Sequence, residues 1–167
     1  MKKKLLIFDF DGVIINSKKN MELSWLKVQN KHNLEKIHFK EYFQYIGRPF
    51  NKILNILGIN KNISHIRNTY QQESIKQINK LSYYRGALGT LKKLKSRKHI
   101  LAIVTSKDLI RTNKFLGKNN KLFSVIKCDK KNNKGKPYPY NINEVIKLMN
   151  VKKSQCIYIG DTYIDYQ

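Results

Sequence analysis

Asp9 and Asp11 stand two positions apart at the end of a short apolar run, Leu5-Leu6-Ile7-Phe8, and Gly12 and Val13 follow them. An apolar run of that length, bounded by a turn signal, reads as a buried parallel strand. In open α/β sheets ligands bind beyond the carboxyl ends of the strands, so both carboxylates belong at the sheet rim. Two neighbouring carboxylates repel, and a cation between or beside them is the simplest way to keep both ionised. An oxygen-rich donor set favours Mg²⁺ over a softer metal. Alone, Asp-x-Asp-Gly is also ordinary turn chemistry at a strand end.

Three more segments follow in order. Thr105 closes the apolar run Ile100-Leu101-Ala102-Ile103-Val104, Lys136-Pro137 lies in a loop, and Gly160-Asp161-Thr162-Tyr163-Ile164-Asp165 closes Cys156-Ile157-Tyr158-Ile159. These parts suit phosphoryl transfer, which needs an in-line nucleophile and cations or donors around the equatorial oxygens. Asp9 is placed to attack phosphorus and form an aspartyl-phosphate. Asp11 is placed to protonate the leaving oxygen and later to deprotonate water, provided its pKa lies above that of Asp9. Thr105 offers a hydroxyl donor and Lys136 a cation for the phosphoryl oxygens. Asp161 would complete the Mg²⁺ site, with Asp165, one helical turn on, in its outer shell. Each of these also has a plain reading: Thr105 as a strand end, Lys136 as one lysine among many, Gly160-Asp161 as a turn. The ordered set is far more specific than any member.

The elements that must position these residues follow from periodicity. Strands alternating with helices argue a doubly wound parallel sheet, here residues 1–15 and 82–167. Residues 16–81 carry helical periods and no convincing strand, which reads as an inserted helical cap. In that stretch Met21, Trp25 and Val28 share a face, as do Phe39, Tyr42, Phe43 and Ile46, then Phe50, Ile53, Leu54 and Leu57. Ile63, Ile66, Tyr70, Ile78 and Leu81 continue a longer stripe. Gly47-Arg48-Pro49 breaks the helices, since proline disfavours helix in the residue before it. A loop there either overhangs the sheet rim and offers Arg48 to an anionic substrate or is a plain turn. Further on, 123–126 reads as a third strand, Asp129 to Gly135 as a loop, and Cys156 as the start of a buried strand.

Length and charge bound the rest. At 167 residues and 41% hydrophobic, the chain is long enough to bury a genuine core. Asp9 and Asp11 interrupt the apolar stretch after the N-terminal lysines, so the start reads as cytoplasmic rather than as a signal peptide, with no membrane partner expected. Cys128 and Cys156 lack metal-ligand spacing, and His32, His38, His65 and His99 are scattered. The net charge of +23 attracts phosphorylated ligands and can hold nucleic acid non-specifically. Lysines spread through an Asn- and Ile-rich chain also fit a compositional bias.

With these segments in view, the chain resembles a haloacid dehalogenase (HAD) superfamily phosphatase of the phosphoglycolate phosphatase and β-phosphoglucomutase branch. Asp9-Phe10-Asp11-Gly12-Val13 matches the first motif, Val104-Thr105-Ser106 the second, Lys136-Pro137-Tyr138-Pro139 the third and Gly160 to Asp165 the fourth. The resemblance implies a HAD-like Rossmannoid fold, a small phosphorylated metabolite as substrate, and Mg²⁺ held by Asp9, the Asp11 carbonyl oxygen and Asp161. Arg85 stands before Gly86 where relatives commonly have proline. The chain ends at Tyr166-Gln167, where relatives continue with a helix and a further strand, so the fourth strand is expected at a sheet edge. A phosphosugar mutase is the enzymatic alternative, decided by how well water is excluded. A weakly active HAD-like frame with a basic nucleic-acid-binding role is the alternative of a different class.

Overall fold

Leu5–Phe8 (β1) is buried at every position, because a parallel strand pairs with each of its edges and apolar side chains cover each of its faces. The computed structural model describes residues 3–34, 36–129 and 135–167. Its main sheet adds Ile100–Thr105 (β4), Val125–Cys128 (β5) and Cys156–Ile159 (β6). The order is β5-β4-β1-β6, all parallel. Alternation along β1 and β4 sorts the core into two layers. Leu6, Phe8, Leu101 and Ile103 pack with Leu91 of Ala87–Ser96 (α5) and Leu116 of Leu109–Leu116 (α6). Leu5, Ile7, Ala102 and Val104 pack with Val145 of Tyr140–Leu148 (α7).

Two strand expectations shift. The third strand spans Val125–Cys128 instead of 123–126: Phe123 is drawn into the α5/α6 layer, its N–H donating to the Asn120 carbonyl, and pairing with β4 then runs from Ala102↔Val125 to Thr105↔Cys128. β6 is not fully buried, and Ile157 is 42% exposed. It lies at the sheet edge with β1 as its partner among the described residues. The stretch 130–134, expected to be loop, lies outside the described residues.

Between β1 and β4 the chain leaves the sheet through Ile15–Asn16 (β2) and returns through Ser82–Tyr83 (β3), paired antiparallel as Ile15↔Tyr83 and Asn16↔Ser82. Two residues per strand are too few to leave a periodic signal in sequence. The intervening helices are Lys18–His32 (α1), Phe39–Phe43 (α2), Phe50–Ile56 (α3) and Ile63–Lys76 (α4). They share an apolar cluster of their own, with Trp25, Tyr42, Leu54, Ile66 and Tyr70 at its centre. Trp25 is wholly buried, stacks on Tyr42 at 4.4 Å and donates its indole N–H to the Ile37 carbonyl at 2.9 Å.

α4 stops at Lys76, before the stripe expected to run through Ile78 and Leu81. Those two residues pack into the α5/α6 layer of the sheet, and Ile78–Lys80 forms a 3₁₀ turn. Buried Asn20 of α1 donates to the carbonyls of Ser74, in the last turn of α4, and of Gln77, just beyond it, at 2.9 and 2.7 Å. No helix among the described residues is long and apolar enough to cross a membrane. Trp25→Ala is expected to destabilise the protein by about 3–5 kcal/mol through cavity formation, the Ile37 carbonyl keeping its second donor, Gln29. Chemical denaturation followed by circular dichroism checks this, and a loss under about 1 kcal/mol would mean that the helices do not depend on this cluster.

Candidate active site

The register of the sheet brings the chemistry-bearing residues to one level. Phe8 pairs with Ile103 on β4 and with Ile159 on β6, so Asp9 and Gly160 leave the sheet at one level, and Thr105 ends β4 one residue further on. The Asp9 N–H donates to the Ile159 carbonyl at 2.8 Å, extending the ladder by one bond. Its carboxylate takes the Phe10 N–H at 2.7 Å on one oxygen and the Lys136 ammonium at 2.8 Å on the other. Lys136 arrives from the loop before α7 and also contacts Asp165 at 2.7 Å, with all three side chains about 6% exposed or less. Asp165 lies on Tyr163–Tyr166 (α8), whose first turn its carboxylate caps by accepting from the Thr162 N–H and hydroxyl at 3.1 and 2.7 Å. The Tyr158 hydroxyl donates to it as well, at 2.7 Å.

Asp9, Asp161 and Asp165 each offer an oxygen, and these atoms lie within 4.8 Å of one another. Gly12 adopts φ +84°, and an added Cβ there would overlap the Asp161 carboxylate. The turn after β1 therefore needs glycine both for its backbone and to admit Asp161. The cluster's electrostatics are those of a site short of positive charge. Burial raises the Asp9 pKa to about 6 against the pull of Lys136, with Asp165 and Asp11 adding repulsion. Asp161 is raised by partial burial and then by Asp165. Burial works against ionised Asp165 too, but Lys136, Thr162 and Tyr158 hold it below the usual carboxylate range. An all-carboxylate donor set in this condition fits a hard divalent cation such as Mg²⁺; Asp9 and Asp165 share Lys136, and Asp161 lies beside them outside that ion pair.

Asp11 points elsewhere. Both of its oxygens accept from Lys107, at 2.9 and 3.2 Å, and the Lys107 side chain is 3% exposed. Burial depresses Lys107 below the usual ammonium range, and the Asp11 charge opposes that. Thr105 is buried at the end of β4, where its hydroxyl accepts the Lys107 N–H at 3.2 Å. A cavity of about 60 Å³ separates this rim from the helical insert, lined among others by Asp9, Asp11, Arg48, Tyr70, Lys107 and Arg111. Thus the structure gathers Asp9, Asp161, Asp165 and Lys136 in one cluster and sets Asp11, Thr105 and Arg48 around the adjoining cavity.

Polar contacts join insert and sheet beside that cavity. The Ser106 hydroxyl lies 2.9 Å from the Gly47 carbonyl and 3.0 Å from Asp129. Arg111, buried on α6, pairs with Asp108, donates to the Ser74 hydroxyl at 3.1 Å and sits over the Tyr70 ring. Burial opposes the Arg111 charge, but Asp108 and Tyr70 raise its pKa further.

The profile of the family described as haloacid dehalogenase-like hydrolase matches residues 6–167. The chain belongs to the haloacid dehalogenase-like hydrolases. It is 22% identical over 168 residues to the pyrophosphatase PpaX of Bacillus mycoides (strain KBAB4), covering 99% of this chain and 78% of the relative. The Bacillus cereus (strain Q1) protein of the same name is also 22% identical, covered to 77%. Among solved structures, a haloacid dehalogenase-like hydrolase from Bacteroides fragilis superposes with a TM-score of 0.89 at 23% identity, covering 98% of this chain and 81% of that one. CbbY from Rhodobacter sphaeroides, solved in complex with phosphate, gives 0.82 at 14% identity, covering 98% and 80%. At such identities the superpositions establish the shared fold.

Sequence reading missed two cations of this hydrolase, Lys107 and Arg111. The one available signal was position: Lys107 follows Thr105 by two residues at a strand end, and Arg111 follows the helix-capping Asp108 by three. Two outcomes follow for metal binding, both read by titration calorimetry. Gly12→Ala, pushed into the Asp161 carboxylate, should weaken Mg²⁺ binding by at least about tenfold. In the parent protein, with ionised Asp9 as a ligand, Mg²⁺ affinity should fall by up to about tenfold per unit as pH drops below about 6. An affinity flat from pH 7.5 to 5 would exclude Asp9 as a ligand.

Proposed function

We propose that this hydrolase is a Mg²⁺-dependent phosphatase that cleaves a small phosphomonoester through an aspartyl-phosphate on Asp9. The observation that carries the reading is the Lys136 ammonium wedged between Asp9 and Asp165 while Asp161 shares the same cluster. A transferring phosphoryl group needs a nucleophile with positive charge beside it, which Lys136 supplies in part and a divalent cation would complete. The family membership and the phosphatase names of the Bacillus relatives agree with it. The residues 16–81 act in this reading as a cap over the site.

In the first half-reaction an Asp9 oxygen forms a bond to phosphorus as the bond to the leaving oxygen breaks, and Asp11 supplies the proton that the leaving oxygen takes up. In the second, Asp11 takes a proton from water, whose oxygen attacks phosphorus and releases phosphate from Asp9. The Thr105 hydroxyl donates to a phosphoryl oxygen, and Lys136 balances the equatorial charge. A divalent cation held by Asp9, the Asp11 carbonyl oxygen and Asp161 would supply further charge neutralisation. Arg48 lines the cavity, which supports its assignment to the leaving group. Pyrophosphate, from the name of the relatives, belongs in any substrate panel.

Phosphate release from a panel of small phosphate esters and pyrophosphate, with and without Mg²⁺, tests the reading. Asp9→Asn should lower release at least about a thousandfold while circular dichroism shows an unchanged fold. A folded Asp9→Asn variant retaining near-parent activity would rule out the aspartyl-phosphate route.

A further inference from the structure

Lys107 has no part in the phosphatase chemistry described so far, yet it is among the most buried charged side chains of the protein. A buried ion pair is poor value for stability, because desolvating both charges offsets most of their attraction. Apolar residues would fill the same space at less cost. The pair with Asp11 is also specific. Lys136 is committed to Asp9 and Asp165, and Arg111 to Asp108, Ser74 and Tyr70, so Lys107 is the described cation within contact distance of the Asp11 carboxylate.

The local chain explains how it gets there. β4 ends at Thr105, and the four residues 105–108 send their side chains to four destinations: the cavity, the Gly47 carbonyl with Asp129, Asp11, and the start of α6. The Lys107 N–H is itself tied to the Thr105 hydroxyl, which fixes the root of the side chain. Its ammonium then grips both Asp11 oxygens. An acid that must reach a leaving oxygen within about 2.6–3.2 Å gains from such a clamp, since a carboxylate beside a glycine at φ +84° can otherwise swing.

We propose that Lys107 positions the Asp11 carboxylate for proton transfer, acting through Asp11 without touching phosphorus. The proposal rests on the reading of Asp9 as nucleophile and Asp11 as acid and base. Positioning of an acid matters most for poor leaving groups. A nitrophenolate leaves Asp9-bound phosphorus without being protonated, whereas an alkoxide does not, and hydrolysis of the aspartyl-phosphate needs Asp11 as base in either case.

The experiment compares Lys107→Met and Lys107→Arg by rapid mixing with p-nitrophenyl phosphate and by steady-state phosphate release from glycerol phosphate. Expected for Lys107→Met is a first turnover of nitrophenolate within about threefold of the parent, followed by turnover slowed on the order of 10- to 100-fold. Glycerol phosphate cleavage should slow to a similar extent, and Lys107→Arg should recover most of the loss. In an Asp11→Asn background Lys107→Met should cost nothing further, and that double variant leaves no buried charge unpaired, so it remains informative if the single variant does not fold. A first turnover slowed as much as later ones, or an additional loss in the Asp11→Asn background, would overturn the proposal alone. A parent protein that releases no phosphate from either ester would remove the reading of Asp9 and Asp11, and the proposal with it.

Discussion

Crowded negative charge at the carboxyl end of β1 is the constraint around which the structure is arranged. Asp9 comes from the end of β1, and Asp161 and Asp165 from the segment after β6; Lys136, lying between Asp9 and Asp165, offsets the repulsion between those two side chains. The sheet makes the gathering possible. Because β1 has a parallel partner on each edge, its end meets the ends of β4 and β6 at one level, and the loop before α7 needs only to fold back over that level. The apolar layers on the two faces of the sheet supply the stability that such a cluster subtracts.

The same logic sets the junction between sheet and insert. Where the two meet beside the cavity, directional contacts dominate: Ser106 with Gly47, Arg111 with Ser74 and Tyr70, Gln71 with Asp108. Hydrogen bonds fix orientation more sharply than apolar contact does, and they tolerate a wet, polar space between the two layers. The apolar cluster of the insert lies around Trp25 and Tyr42, within its own helices.

Much of this was legible in the residues. Apolar runs that end within one residue in Asp9, Thr105 or Gly160-Asp161 mark both a strand and its functional end, because the change of polarity coincides with the sheet rim. The helical periods of the insert were equally plain. What could not be read depends on distant partners. Phe123 looked like strand because it is apolar, but its place is under α5 and α6, and Ile78 and Leu81 look helical by spacing while belonging to the sheet's core. Lys107 and Arg111 were hidden among 34 basic residues, since a buried lysine and a solvated one are written with the same letter. Beyond their places after Thr105 and Asp108, it is the burial of their side chains that sets them apart from the solvated ones.

The pairing of β2 with β3 brings the two ends of the helical insert side by side, at Ile15↔Tyr83 and Asn16↔Ser82. To the sheet, the whole insert is therefore a loop already closed at its base, and the entropy of closing a loop rises only with the logarithm of its length. Helices can be lengthened, shortened or exchanged above that stalk without disturbing the register that aligns β1, β4 and β6. A lineage carrying this architecture can thus vary the insert while the sheet below keeps its alignment.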